Sequence, residues 1–173
     1  MNSLLAVILA VILSVGFIEP AAASETTDSL SQITNFHFVS ENIASSGLLE
    51  FEKYHDINKY GFKHVINLIP GEQQQERKVV SSFGMSYEQI PVDWSEPTLD
   101  DFEKFLSLMR KYKNEKVYVH CEANYRASTF VYLYRTLALG DKDSEAKKDL
   151  LKIWTPSETW QGYIEKVKFS HQD

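Results

Sequence analysis

The chain has 173 residues, and its 18 Lys and Arg against 24 Asp and Glu give a formal net charge of −6 at pH 7. A hydrophobic fraction of 43% and an aromatic fraction of 13% suffice for one sizeable buried core, which predicts a single folded domain. The mildly acidic balance argues against nucleic acid or an anionic membrane surface as a partner.

The first residues have the pattern of an export signal. Positions 4–18 are almost wholly apolar, and an A-x-A cleavage signal ends at Ala23. The apolar run is short for a spanning helix, so cleavage is favoured over an uncleaved membrane anchor. We therefore predict a signal peptide at 1–23, a flexible lead-in at 24–34 and a domain at 35–173. The mature protein is expected in the periplasm of a Gram-negative bacterium.

Strand and helix patterns alternate through the rest of the chain. The predicted strands are 35–39, 41–45, 64–69, 85–92 and 116–120, and the predicted helices are 48–60, 73–83, 98–113, 127–139, 144–154 and 157–169. Thr98 is the expected N-cap of its helix, with Asp101 three positions later completing a capping box. This alternation predicts an α/β fold, with a central mixed, mainly parallel sheet flanked by helices and a helical C-terminal third.

The segment 117-VYVHCEANYRASTF contains the only cysteine of the chain, Cys121. It predicts an apolar strand, a short loop at 121–126 and a helix, and such a loop presents unpaired amides and a helix dipole to an anion. Arg126 adds a planar fork for an oxyanion, and the same field favours the thiolate of Cys121. Ser128 could hydrogen-bond that thiolate. The alternative is a small, inert core cysteine with Arg126 on the surface.

The motif VHCEANYRAS resembles the active-site signature of the cysteine-dependent protein tyrosine and dual-specificity phosphatases. The similarity is greatest to a bacterial branch named beta-lactamase-hydrolase-like phosphatases. Weaker similarity in 43-IASSG, 61-GFKHVINL and 90-IPVDWSEPTLDDFEKF extends the resemblance from about Phe36 to the last helices. It implies the fold of these enzymes and hydrolysis of a phosphoester, with a phosphorylated small molecule, a phosphopeptide or another oxyanion as partner.

By this resemblance Cys121 would attack phosphorus and form a phosphocysteine, and Arg126 would bind the equatorial oxygens. Asp93 would be the general acid, while His120 and Ser128 would support the thiolate. The phosphate-binding loop would comprise Glu122, Ala123, Asn124, Tyr125, Arg126 and Ala127. No cofactor is implied, and the histidines lack the spacing of metal ligands.

Three positions near this motif carry further expectations. Asp100 and Asp101 are rivals of Asp93, but as first-turn helix residues they are expected to cap the helix and complement its dipole. Glu122 is expected to point away from the phosphate, because its charge would weaken anion binding.

The loop departs from the family pattern, because four residues instead of five separate Cys121 from Arg126. It also lacks the usual glycine, so Asn124 is expected to adopt any left-handed backbone conformation there. The shorter spacing is typical of rhodanese-type sulfurtransferases, which suggests a Cys121 persulfide as an alternative. A non-catalytic module that binds an anion is the third hypothesis.

Overall fold

The computed structural model describes residues 29–172. The predicted signal peptide at 1–23 and the first part of the predicted lead-in, 24–28, lie outside the described residues. Within the described range, no helix has both the length and the apolar character that a membrane crossing requires.

Five strands form one sheet: β1 His37–Phe38, β2 Ile43–Ser46, β3 His64–Asn67, β4 Ser86–Gln89 and β5 Val117–His120. Their order is β1-β2-β5-β3-β4, and only the β1–β2 pair is antiparallel. The predicted mixed, mainly parallel sheet is therefore confirmed. All four residues of β5 are buried, as expected for the strongly apolar strand at the centre of such a sheet.

The helices are α1 Lys53–Lys59, α2 Gln74–Ser82, α3 Leu99–Lys111, α4 Tyr125–Leu137, α5 Asp143–Ile153 and α6 Glu158–Ser170. The capping box of α3 is confirmed, because the Thr98 side chain accepts from the Asp101 amide and the Asp101 carboxylate accepts from the Thr98 amide. The predicted helix at 48–60 is wrong in its first part. The Leu48 amide donates to the Glu122 carbonyl at 2.9 Å, which holds this segment against the cysteine loop instead.

Helices cover both faces of the sheet, and each face has its own core. Alternate side chains of β5 point to opposite faces, so Val119 joins the core of α3, α4 and α6, whereas Tyr118 joins the core of α1 and α2. Leu30 and Ile33, within the predicted lead-in, are also buried in the second core. Packed residues therefore begin before position 35.

Candidate active site

The cysteine loop leaves the carboxyl end of β5 and is fixed from the side of β2. The Cys121 amide donates to the Ser46 carbonyl at 3.2 Å, and the Leu48 amide donates to the Glu122 carbonyl at 2.9 Å. Gly47 lies between these contacts. A Cβ atom at Gly47 would lie 2.8 Å from the Glu122 carbonyl oxygen, so only glycine allows this close approach.

Two asparagines, Asn35 and Asn124, hold the backbone of the loop in place just before α4 begins. The Asn124 side-chain amide donates to the Asn35 carbonyl at 2.6 Å, and the Asn35 side-chain amide donates to the Ala123 carbonyl at 3.0 Å. Asn124 has φ 66° and ψ 3°, the left-handed conformation expected from the sequence. The chain then enters α4 at Tyr125, two residues earlier than predicted, which places Arg126 in the first helical turn.

The first turn of α4, next to the cysteine loop, presents free backbone donors. Ala123 forms a backbone bridge with Gly47, and the first α4 bond runs from the Ser128 amide to the Asn124 carbonyl at 2.9 Å. Within the described residues, the amides of 125–127 in the first turn of α4 therefore have no intrahelical acceptor. Unpaired amides at a helix N-terminus attract an anion, and the helix dipole adds to that attraction. The local backbone can therefore cradle an oxyanion.

Arg126 is 3% exposed, and backbone carbonyls fix its guanidinium. Nη1 donates to the Leu68 carbonyl at 2.8 Å and to the Val92 carbonyl at 3.1 Å. Nη2 donates to Glu122 Oε2 at 2.8 Å. These bonds use three of the five N–H donors that a guanidinium carries, so within the described residues two remain for an oxyanion.

The orientation of Glu122 differs from the expectation. Its carboxylate points toward Arg126, although the side chain remains 63% exposed. The left-handed turn at Asn124 lies between the two residues, and Glu122 in the loop reaches the opposite charge of Arg126 in the first turn of α4. Glu122 thus competes with any anion for the Arg126 guanidinium.

Cys121 is 1% exposed and contributes to a cavity of about 270 Å³ beside the loop. The lining residues are Trp94, Cys121, Glu122, Ala123, Tyr125 and Arg126. The structure thus brings the predicted nucleophile, the arginine and most of the predicted phosphate loop together in one cavity.

Aromatic side chains form one wall of this cavity. Tyr125 stacks on Trp154, with ring centroids 4.7 Å apart, and Trp94 lies 5.2 Å from Trp160. The Trp160 indole also donates to the Trp94 carbonyl at 3.1 Å, which ties the segment after β4 to α6. Trp94 is 42% exposed, so part of its ring is available to a ligand in the cavity.

Asp93 lies beside the cavity but does not line it. Its carboxylate Oδ1 accepts from the amides of Ser95 at 2.7 Å and Glu96 at 3.1 Å, so it caps an exposed turn. Both neighbours of Asp93 contact the site, because the Val92 carbonyl binds Arg126 and Trp94 lines the cavity.

The rival carboxylates are occupied elsewhere. Asp101 caps α3 as expected, and Asp100 forms an exposed ion pair with Lys104 at 2.6 Å. Ser128 is also engaged, because its hydroxyl donates to the Tyr125 carbonyl at 3.2 Å. Among the described residues it makes no hydrogen bond to Cys121, so the structure does not bring these two groups together.

His120 is fully buried behind the loop, and its Nε2 lies 2.8 Å from Glu76 Oε1. Glu76 is only 5% exposed, yet its sequence context, three glutamines at the start of a polar helix, resembles a solvated surface. Its position one turn before the buried Val80 is the one sequence signal that places it on the inner face of α2.

Comparisons with known proteins agree with this geometry. Residues 29–161 match the family model described as DSP-PTPase phosphatase fused to NAD+ kinase. A crystal structure of a candidate phosphatase (DUF442) from Shewanella putrefaciens is 32% identical, covers 84% of this chain and 99% of its own, and has a TM-score of 0.73. Among curated proteins no similar sequence was found.

Two more distant structures share the fold. The catalytic core of the PP-IP phosphatase SIW14 from S. cerevisiae, in complex with citrate, is 19% identical, with coverage of 77% and 85% and a TM-score of 0.66. A cysteine-to-serine variant of TpbA from P. aeruginosa, in complex with phosphotyrosine, is 13% identical, with coverage of 81% and 91% and a TM-score of 0.65. These two structures show the fold alone, whereas the family match over 29–161 and the 32% identical structure confirm the predicted superfamily of cysteine-dependent phosphatases.

Proposed function

Because the chain belongs to the family of DSP-PTPase phosphatases fused to NAD+ kinase, we propose that it hydrolyses a phosphoester through a covalent intermediate on Cys121. The observation that carries the proposal is the cavity that Cys121 and Arg126 line together beside the free amides of the first turn of α4. A sulfur nucleophile, an amide cradle and a fixed positive charge are the parts that phosphoryl transfer requires.

The proposed reaction has two steps. The Cys121 thiolate attacks phosphorus and the bond to the leaving oxygen breaks, while the cradle and Arg126 stabilise the charge on the equatorial oxygens. Asp93 protonates the leaving oxygen. Water activated by the resulting carboxylate then attacks the phosphocysteine, which releases inorganic phosphate and regenerates the thiolate.

The substrate is proposed to be a phosphorylated small molecule or a phosphopeptide. The related structures bind phosphotyrosine and citrate, and both ligands carry oxyanions. The aromatic wall of Trp94 and Tyr125 supports a flat leaving group beside the phosphate. The export of the protein to the periplasm stays a prediction.

The test is hydrolysis of para-nitrophenyl phosphate by the reduced protein between pH 5 and 8. Cys121→Ser is expected to abolish turnover, and Asp93→Asn to lower kcat by about 100-fold, as for removal of a general acid. Asp100→Asn is the matched control, since it removes an exposed carboxylate that pairs only with Lys104 in the described structure.

Other outcomes would reject the proposal. Hydrolysis that survives in Cys121→Ser would exclude a phosphocysteine. No hydrolysis, together with sulfur transfer from thiosulfate that is indifferent to Asp93→Asn, would establish a rhodanese-like activity. Phosphate binding without either reaction would establish an anion-binding module.

A further inference from the structure

One buried carboxylate outside the cavity collects hydrogen bonds from four other elements. Glu76 lies in the first turn of α2, and its oxygens contact Tyr54 of α1, Asn67 of β3, Tyr87 of β4 and His120 of β5. Buried carboxylates are rare unless they are paired. The position of this network behind the cysteine loop suggests that it helps to hold the loop in place.

Glu76 is ionised at neutral pH. Burial alone raises the pKa of its carboxyl, but the hydrogen bond and electrostatic attraction of His120, together with the hydrogen bonds from Tyr54 and Tyr87, outweigh burial and lower the pKa to about 2. An ionised carboxylate only accepts hydrogen bonds, so the nearby Nε2 of His120 carries its proton toward Glu76. Nδ1 of His120 has no partner among the described residues, so Glu76 is the main polar anchor of the imidazole, with the Tyr54 hydroxyl 3.3 Å away.

The first link from Glu76 runs to the nucleophile. His120 is the last residue of β5, and Cys121 follows it directly. The direction of the His120 side chain is coupled to the backbone torsions at which the loop begins. Fixing the imidazole therefore fixes the start of the amide cradle and the direction of the thiol.

The second link runs to the arginine. The side-chain amide of Asn67 donates to Glu76, and its side-chain oxygen Oδ1 accepts from the Ile69 amide at 2.6 Å, which shapes the turn after β3. The carbonyl of Leu68, inside that turn, accepts from Arg126 Nη1 at 2.8 Å. One carboxylate is thus linked both to the start of the cysteine loop and to the turn whose carbonyl binds Arg126.

We propose that Glu76 is a positioning residue for this site: its carboxylate holds His120 behind Cys121 and, through Asn67, the turn that orients Arg126. The inference rests on the proposed function for its biological meaning. Its physical content, the reactivity of Cys121, can be measured without any turnover.

The experiment is the rate of alkylation by iodoacetamide between pH 5 and 9. Cys121 is the only cysteine, so every alkylated molecule reports this site. In Glu76→Gln the midpoint of the profile is expected to rise by about one pH unit, which makes alkylation about tenfold slower below the midpoint. The charged groups that line the cavity with the thiol are Arg126 and Glu122, and Tyr118 interacts with it electrostatically from β5; all of them remain in the variant.

The direction of the shift separates positioning from simple charge removal. Loss of a negative charge by itself would favour the thiolate and move the midpoint down. Loss of positioning disorders the amides and the arginine that stabilise the thiolate, and so moves it up. A downward shift, or an unchanged profile in a folded Glu76→Gln protein, overturns the proposal.

Two further variants complete the design. Asp149→Asn is the matched control, because Asp149 is another carboxylate whose partners lower its pKa to about 2 despite burial. Asp149 pairs with His37 and Arg135, and none of these three residues lines the cavity. It is expected to leave the profile in place, and an equal shift there would overturn the proposal. Glu76→Asp keeps the charge but retracts the oxygens by one methylene. It replaces Glu76→Gln if that variant does not fold, and an unchanged profile would then be decisive.

The proposed function fails in a different way from this inference. If the wild-type protein does not hydrolyse para-nitrophenyl phosphate, the phosphatase proposal is lost, whereas the alkylation profiles of the variants still decide the role of Glu76. If hydrolysis is present and Glu76→Gln changes neither kcat nor the profile, only the positioning role is lost.

Discussion

The contact between Glu122 and Arg126 predicts that removing the Glu122 charge strengthens anion binding. Glu122 Oε2 lies 2.8 Å from Arg126 Nη2, so a bound phosphate must share or displace this contact. Two unit charges about 4 Å apart repel by about 1 kcal/mol in water and about 4 kcal/mol at an effective dielectric constant of 20. Because the Glu122 side chain is 63% exposed, the lower figure applies, and it corresponds to about a fivefold change in affinity.

The assay is the inhibition constant of inorganic phosphate against para-nitrophenyl phosphate at low ionic strength. We expect Glu122→Gln to lower this constant about fivefold, and added salt to reduce the difference because it screens exposed charges. Glu103→Gln makes the same change in net charge at an exposed residue that pairs with His171 elsewhere. An unchanged or weaker affinity in Glu122→Gln, or an equal gain in Glu103→Gln, would refute the reasoning.

Three stability predictions follow from other contacts. The pKa of Glu76 is lowered from 4.5 to about 2, so its ionisation contributes roughly 3 kcal/mol above pH 4.5 that is lost as the pH falls toward 2. Urea unfolding at pH 7 and pH 3 should therefore show a smaller acid loss in Glu76→Gln than in the wild type; equal losses would contradict the assignment. Gly47→Ala is expected to lower stability by about 1–3 kcal/mol through overpacking and to weaken phosphate binding, because its Cβ would lie 2.8 Å from the Glu122 carbonyl oxygen. Phosphate affinity equal to that of the wild type would show that the loop accommodates the added methyl group. Thr98→Ala should lower the free energy of unfolding by about 1 kcal/mol without affecting phosphate affinity, since it removes only the cap of α3.

Features set by local chemistry could be predicted from the sequence. The capping box of Thr98 and Asp101 depends on residues three positions apart, and the left-handed Asn124 depends on the tolerance of one side chain. The central position of β5 follows from its continuous apolar run. In each case the determining atoms are close together in the chain.

Features set by distant contacts could not be predicted in this way. The segment after Gly47 has helical spacing, but the bond from Leu48 to the Glu122 carbonyl overrides it. The polar sequence around Glu76 predicts a solvent-exposed side chain. Its burial depends on partners from other strands and helices, which only the folded sheet brings together. The direction of Glu122 likewise depends on where α4 begins, two residues earlier than its sequence pattern indicates.

The early start of α4 also bears on the short loop between Cys121 and Arg126. This loop has one residue fewer than the family pattern. Here the left-handed turn at Asn124 begins the helix at once, and Arg126 still reaches the carbonyls of Leu68 and Val92. The free amides of the first helical turn then replace those of a longer loop. The proposed anion binding would therefore depend on the helix start and on the carbonyls that hold Arg126, and the residue count between Cys121 and Arg126 does not by itself exclude phosphate.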